Sequence, residues 1–340
     1  MKKTLIAMAV LGAASGFAMA ASNVTLYGII ETGVVLQKAK HKDTTVSMVD
    51  GFDQGSRWGI KGTEELGNGY SVGFILEQGF KSDTGNEQTP DKQFSRESIL
   101  NVKGGFGSLA FGRTGALASG AQSQQILTGW ALGTGYGLSA WNAQTVGTLR
   151  MDNAISYASP NFAGFSVHAM YSNGVDTDDI KDKWSKNNHY YGLGVKYQEG
   201  AIRSSLIFEA LDNKKESGEK KKAEYRVNYG LEYNLGSWTP MFAYQWIDKD
   251  NGLKTHKFGL SSKVSVGGGD ALIGAAYLFG KDAGEKVRNW NIGAAYVYPL
   301  SKRTALKAYA GYADSSKAWK DEPDPLFNGY QVFFGMRHSF

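Results

Sequence analysis

The sequence predicts an all-β chain: a sixteen-stranded antiparallel up-and-down barrel that crosses a membrane, one strand face in lipid and the other in water. Three observations predict it. Apolar and polar residues alternate with a period of two along segment after segment. The breaks between these segments are alternately short and long. Past the first twenty residues, no apolar run approaches the roughly 18 residues that a spanning helix needs. A closed barrel can still cross lipid, because closure pairs every backbone donor and acceptor.

Composition agrees. The 340 residues include 44 Gly and 18 Tyr but only 6 Pro, a mixture suited to strands and tight turns. Mean hydropathy is slightly negative, as expected when only alternate residues face lipid. With no cysteine, a disulfide framework and thiol chemistry are excluded.

The N-terminal twenty residues predict a cleaved signal peptide. Lys2 and Lys3 give the positive start, residues 4–17 are mostly apolar, and Ala18-Met19-Ala20 is a small-residue cleavage site. The barrel domain is then 21–340. Removing both lysines leaves 35 Lys+Arg against 32 Asp+Glu, a formal charge of +3 in place of +5. So small an excess gives no footprint for a nucleic-acid partner.

The connections count out the barrel. Short breaks rich in Gly, Pro, Asn and Ser fall at 67–69, 104–107, 159–164, 198–201, 235–237, 266–270 and 299–303. Long ones fall at 37–54, 82–92, 114–150, 173–188, 213–223, 248–253, 281–287 and 314–328. Fifteen connections imply sixteen strands, with both chain ends on the short-turn side.

Strand faces can be read directly. Tyr225, Val227, Tyr229, Leu231 and Tyr233 point outward, and Arg226, Asn228, Gly230 and Glu232 inward. Tyr191 to Tyr197, Phe242 to Trp246 and Trp290 to Tyr298 repeat the alternation. Aromatics near strand ends predict two interfacial girdles, and the polar or small inward sets predict a wet lumen, hence a pore. In the last segment Tyr330, Val332, Phe334, Met336, His338 and Phe340 share the outward face, while Phe333 alone breaks the polar inward set.

Four ordered blocks carry a family resemblance: SNVTLYGIIETGV from 22, GSRWGIKGTEELGNGYSVGFILEQGF from 55, SRESILNVKGGFGSLAFGR from 95 and RMDNAISYASPNFAGF from 150. They resemble the general bacterial porins, most closely the β-proteobacterial and neisserial type. The resemblance implies an outer-membrane channel for passive diffusion of small hydrophilic solutes and ions. It also implies a homotrimer, contacts with outer-membrane lipid and lipopolysaccharide, and a third extracellular loop, here 114–150, folded into the pore. Phe340 matches the terminal aromatic that the barrel assembly machinery reads.

The same resemblance places Arg57, Arg96, Arg113 and Arg150 on the basic wall of the constriction. Lys61 shares the face of Arg57 by parity, and Glu77 is the acid beside the arginines. Simple alternation from Leu109 and Phe111 would point Arg113 outward. Related porins set acidic residues on the third loop opposite the arginines, but between Glu97 and Asp152 this chain has no Asp or Glu. Gln122, Gln124, Gln125, Trp130, Tyr136, Trp141 and Asn142 stand there instead. The gap is therefore expected to favour anions by about 1–2 kcal/mol, or roughly five- to thirty-fold. The alternative is a substrate-specific porin for phosphate-rich or other anionic solutes.

Other classes fare worse. No Ser/His/acid grouping supports a barrel enzyme, and no added soluble domain supports an adhesin. The five histidines are scattered without metal-ligand spacing, so neither a metal nor a cofactor is expected. The run KKESGEKKK at 214–222 is expected to be solvated loop charge or a contact with lipopolysaccharide phosphates.

Overall fold

The computed structural model describes residues 23–144, 150–175, 184–212 and 223–340. The signal segment 1–20 and the basic run 214–222 lie outside them.

Among the described residues there are seventeen strands. The first quarter holds β1 (Asn23–Ala39), β2 (Thr45–Asp50), β3 (Arg57–Gly67) and β4 (Tyr70–Gly79). Then come β5 (Glu97–Gly104), β6 (Gly107–Gly115), β7 (Arg150–Ala158) and β8 (Phe165–Asn173). Next are β9 (His189–Glu199), β10 (Ile202–Asp212), β11 (Glu224–Tyr233) and β12 (Trp238–Asp248). The last five are β13 (Lys254–Val266), β14 (Gly269–Asp282), β15 (Glu285–Pro299), β16 (Thr304–Lys317) and β17 (Gly329–Ser339).

Each strand pairs antiparallel with the next in sequence except β2 and β3, which both pair with β1, and β17 returns to β1, from Ile29 opposite Ser339 to Ala39 opposite Gly329. The other edge of β1 takes two partners in turn. Its first half pairs with β3 and its second half with β2. Those two strands are one stave, interrupted at 51–56, so the closed barrel has sixteen staves. The sequence assigned 37–54 wholly to a loop. In fact Thr45–Asp50 continues the wall, and it is the following six residues that leave it.

Phe340 completes the closure. Its N–H donates to the Gly28 carbonyl and Gly28 N–H donates to the Phe340 carbonyl, both at 3.0 Å. The Phe340 ring lies where a Gly28 side chain would be, 2.2 Å from the position of a Cβ. Glycine at 28 is thus what lets the ring lie flat on β1.

The faces follow the pattern. Outward positions such as Leu193, Leu206, Leu260, Ile273 and Phe334 are exposed, while the alternating inward ones are buried or half-buried. Aromatic side chains gather at the two strand ends. Tyr70, Phe106, Phe162, Phe165 and Tyr298 mark the short-turn end, and Tyr191, Tyr277, Phe279, Trp290 and Tyr312 the other.

One long connection is absent. Instead of a loop over 281–287, β14 and β15 meet in a two-residue turn at Ala283 and Gly284, with φ of 47° and 89°. Positive φ at both central residues suits the tight hairpin geometry that matches strand twist. The charges of KDAGEK disguised it, because here period two continues in charged rather than apolar residues. Strands β13 to β16 run 13 to 15 residues, beyond the 9–11 that a tilted strand needs to cross lipid, so their upper ends project past the membrane.

Phe340→Ala should uncover Gly28 and remove about 1–2 kcal/mol of apolar burial at the seam. The expected result is a lower urea midpoint for the folded, heat-modifiable form; an unchanged midpoint would contradict the seam role.

Candidate functional site: the loop-lined constriction

The long connection after β6 does not leave the barrel; it lies against the inside of the wall. Two apolar clusters hold it. In the first, Ala116, Leu117, Ala118 and Ile126 pack on Met151, Met170, Tyr190 and Ile207. In the second, Trp130, Leu132, Tyr136 and Trp141 pack on Val35, Ala243, Leu272, Ala276, Tyr309 and Phe333. Each fully buried large apolar side chain contributes about 1.5–3 kcal/mol.

The wall makes room through glycine. A Cβ on Gly230 would stand 2.0 Å from the Thr128 carbonyl oxygen, and one on Gly259 would stand 2.6 Å from both the Trp130 and Trp141 rings. Gly293 likewise leaves space for Ser139. These small inward residues, which suggested a wet lumen, are instead the bed of the loop. That side of the interior is dry and packed.

Wall side chains then satisfy the loop's backbone. Tyr190 Oη accepts from Leu117 N–H at 3.3 Å, Ser261 Oγ from Ala131 N–H at 2.9 Å, and Gln331 Oε1 from Leu138 N–H at 2.9 Å. The Lys257 ammonium donates to the carbonyls of Trp141 at 2.8 Å and Ala143 at 3.1 Å, with the Trp141 ring beneath it. Glu97 grips the start of the loop, accepting from Thr114 Oγ1 at 2.8 Å and Ser123 Oγ at 2.6 Å.

Across the remaining space stand the arginines. Arg57, Arg96 and Arg150 line one cavity, together with Gln54, Gln88 and the loop residues Gly120, Ala121 and Gly133–Gly135. Glu77 sits between two of them. Arg96 Nε donates to Glu77 Oε1 at 2.8 Å, Arg57 Nη1 lies 3.9 Å from the same oxygen, and Tyr27 Oη donates to Oε2 at 3.0 Å. Arg96 also donates to Gln88 Oε1 at 3.1 Å, and Arg57 Nε to the Gly55 carbonyl at 3.0 Å. Arg150 has no carboxylate partner among the described residues; its Nη2 lies 3.3 Å from the Gln122 amide.

Two other basic residues are placed differently. The register of β6 on β7 shifts between Gly112 and Thr114, and this bulge turns Arg113 away from the outward parity of Phe111. Arg113 is ion-paired with Asp152, which also takes Lys92 at 2.9 Å, and its Nε donates to the Ser95 carbonyl at 2.7 Å. Lys61 lies further towards the short-turn end, its ammonium 5.1 Å from the centre of the Tyr27 ring. Neither lines the cavity of the three arginines.

Sequence reasoning missed one part of the site, the inturned segment 51–56. Phe52 stacks on Phe333 at 4.3 Å between centroids, which explains the single apolar residue on the inward face of β17. Asp53 lines the arginine cavity, so Glu77 is not the only acid there. The buried Lys307 ammonium lies 2.5 Å from both Asp53 Oδ2 and Glu31 Oε2. Glu31 Oε1 accepts from the N–H groups of Asp53 at 2.6 Å and Gln54 at 3.1 Å. Tyr136 closes the group from the loop side, its ring centre 5.6 Å from Lys307 Nζ. Burial, with Asp53 and Glu31 adding to it, pushes the Tyr136 phenol well above its ordinary pKa, so it stays a neutral donor. The one sequence signal was the glycine pair Gly51 and Gly55, which brackets the segment.

A closed barrel with a loop docked inside and a polar gap left over is the shape of a channel, and the comparisons agree. The family model for Gram-negative porins matches residues 7–318. The chain belongs to this porin family. It is 32% identical to outer membrane porin protein 32 of Delftia acidovorans and 30% identical to an outer membrane porin protein of Bordetella pertussis, each over 100% of both chains. It is also 34% identical to the major outer membrane protein P.IB of Neisseria gonorrhoeae, over 58% of this chain and 54% of that one. Among solved structures, an anion-selective porin from Comamonas acidovorans superposes with a TM-score of 0.70 at 26% identity, covering 94% of this chain and 100% of that one. The trimer form of OmpT of Vibrio cholerae gives 0.67 at 16% identity, over 94% of this chain and 100% of that one, a likeness of fold. This chain is thus an outer-membrane porin of a Gram-negative bacterium and not an enzyme.

Lys307→Met should leave the Glu31 and Asp53 carboxylates buried without a cation, costing about 3–5 kcal/mol. A lowered unfolding midpoint is expected, with partial recovery in Lys307→Met/Asp53→Asn. Wild-type stability in the single variant would remove the ion group from the account.

Proposed function

We propose that this porin is a water-filled channel for passive diffusion of small hydrophilic solutes and ions, and that it prefers anions. The observation that carries this reading is three guanidinium groups on one wall of a cavity whose loop side has no acid. Fixed arginines draw anions into a narrow polar gap and order the water there. The likeness to a porin described as anion-selective supports the same sign.

The inturned segment tempers the magnitude. The three arginines and Lys307, set against Glu77, Asp53 and Glu31, leave one net positive charge. A unit charge about 8 Å from a permeating ion contributes about 0.5 kcal/mol in water and about 2 kcal/mol at an effective dielectric near 20. A well of about 1 kcal/mol, roughly a fivefold anion preference that weakens with salt, is the consistent value. Reversal potentials in a potassium chloride gradient should show it, and replacing both Arg57 and Arg150 with glutamine should bring the ratio to one or below. Cation preference of the native channel at low salt would overturn the charge assignment.

We also propose a homotrimer. The outward faces of β1 and β3 carry Leu26, Gly28, Ile30, Trp58, Ile60 and Gly62, and with the Phe340 ring over Gly28 and the Phe74 ring beside Gly62 they form an apolar face that a neighbouring barrel can cover in place of lipid. Unheated detergent extracts should migrate at about three times the monomer mass, and a monomer by light scattering in mild detergent would count against it. Phe340, seated on the closing seam, is proposed as the residue by which the assembly machinery recognises the last strand.

A further inference from the structure

The buried group around Lys307 holds one carboxylate more than an ion pair requires. Lys307 Nζ lies 2.5 Å from Asp53 Oδ2 and 2.5 Å from Glu31 Oε2. Lys307 and Glu31 are buried, and of the three only Asp53 lines the arginine cavity. Among the described residues, no other lysine is paired with two carboxylates. A second buried carboxylate adds a desolvation cost that a single cation offsets poorly. Charge balance alone therefore does not account for the triad.

Its geometry is that of reactants held for condensation. A carbon–oxygen bond of about 1.2 Å puts Asp53 Cγ within about 3.7 Å of Nζ, close to the near-attack separation of about 3–3.5 Å. Each partner is fixed. Ser56 Oγ accepts from the Glu31 N–H at 3.0 Å and donates to the Glu31 carbonyl at 3.1 Å. The N–H groups of Asp53 and Gln54 occupy Glu31 Oε1, which leaves Oε2 for Nζ. The loop presses on Asp53 from the other side, since a Cβ on Gly135 would stand 1.9 Å from the Asp53 carbonyl oxygen. Tyr136 covers Nζ, and its ring packs with those of Phe52 and Tyr309. Such an apolar cover penalises ions more than it penalises a neutral, hydrogen-bonded amide.

We propose that Lys307 and Asp53 condense to an isopeptide bond, with Glu31 as the proton shuttle. Nζ gives one proton to Glu31 Oε2, and the freed lone pair attacks Asp53 Cγ. Glu31 passes that proton to one carboxylate oxygen of Asp53. Tyr136, whose phenol bears on Asp53, steadies the other oxygen as it becomes negative. A second proton then moves from Nζ through Glu31 to the departing oxygen. The Cγ–O bond breaks, and one water leaves by the cavity that Asp53 lines. An ammonium and a carboxylate have become one amide and one water, with no change of oxidation state. Glu31 ends as the carboxylate it was and accepts from the new amide N–H.

The bond joins residues 254 apart in the chain. It ties the inturned segment to β16 across β17 and β1, and so braces the closing seam covalently. One charge of each sign disappears, which leaves the net charge of the constriction as it was.

The test compares one sample of the full chain before and after folding. Chain purified unfolded is folded into detergent, unfolded again and weighed by intact-mass spectrometry. It should have become lighter by one water, and its tryptic digest should contain residues 43–57 joined to 304–317, uncut after Lys307. Lys307→Arg keeps a cation between the carboxylates but removes the nucleophilic amine, so it should retain the full mass and give linear peptides. Glu31→Gln, checked for folding by its heat-modifiable migration, should form the link at least about tenfold more slowly. Full mass in the folded wild type would overturn the bond and leave an ion group only. Loss of water without the joined peptides would overturn it too, because ring closure at Asp50-Gly51 also releases water. Linking at the wild-type rate in folded Glu31→Gln would overturn the shuttle.

Discussion

The docking of the third long loop onto a glycine-lined wall is the interaction on which the rest of this porin depends. A sixteen-stave barrel without it is a wide tube, whose charges would act on permeating ions only weakly through bulk water. With the loop fixed by Trp130, Leu132, Tyr136 and Trp141 on one side, the open passage is moved against β3, β4 and β7 on the other. The arginines matter because that displacement brings solute past them at close range. Glycine is required at 230 and 259 for a packing reason, since any side chain there would lift the loop from its bed.

Two buried charges do the fixing where apolar contact ends. Among the described residues Lys257 meets no carboxylate but two carbonyl oxygens and an aromatic face, a set that satisfies an ammonium without lending the loop a negative side chain. Lys307 sits between Glu31 and Asp53 and ties the inturned segment to the wall, while Tyr136 covers it from the loop. The broken second stave thus has a purpose. By leaving the wall at Gly51 and rejoining it at Arg57, the chain supplies a second wedge, Phe52, which Tyr136 of the loop meets edge-on and on which Phe333 stacks.

The fold was legible because lipid imposes period two on every outward face, and the runs from Tyr225 to Tyr233 and Tyr330 to Phe340 show it without ambiguity. The count of staves was legible because turns tolerate only certain residues. What alternation could not convey was the break at 51–56, since GFDQGS reads as loop whether it points out or in. Nor could it show Arg113, which a single extra residue in β6 turns towards Asp152. Parity and family pattern could suggest Glu77 beside Arg57 and Arg96, whereas Lys307 meets Glu31 and Asp53 only across more than 250 residues of chain. The small inward residues were seen but misread: smallness fits both a wet wall and a wall awaiting a loop, and only contact distinguishes them.

The most direct test of a fixed inner wall uses the absence of native cysteine. A Cβ on Gly293 would lie 2.7 Å from that of Ser139, so cysteines at both positions reach disulfide separation, about 3.8 Å, after a shift of about 1 Å. The Ser139→Cys/Gly293→Cys pair should oxidise readily in the native membrane, and single-channel conductance should be the same before and after reduction. A pair that fails to cross-link in the folded protein, or a conductance that rises severalfold on reduction, would show that the loop does not rest on this wall.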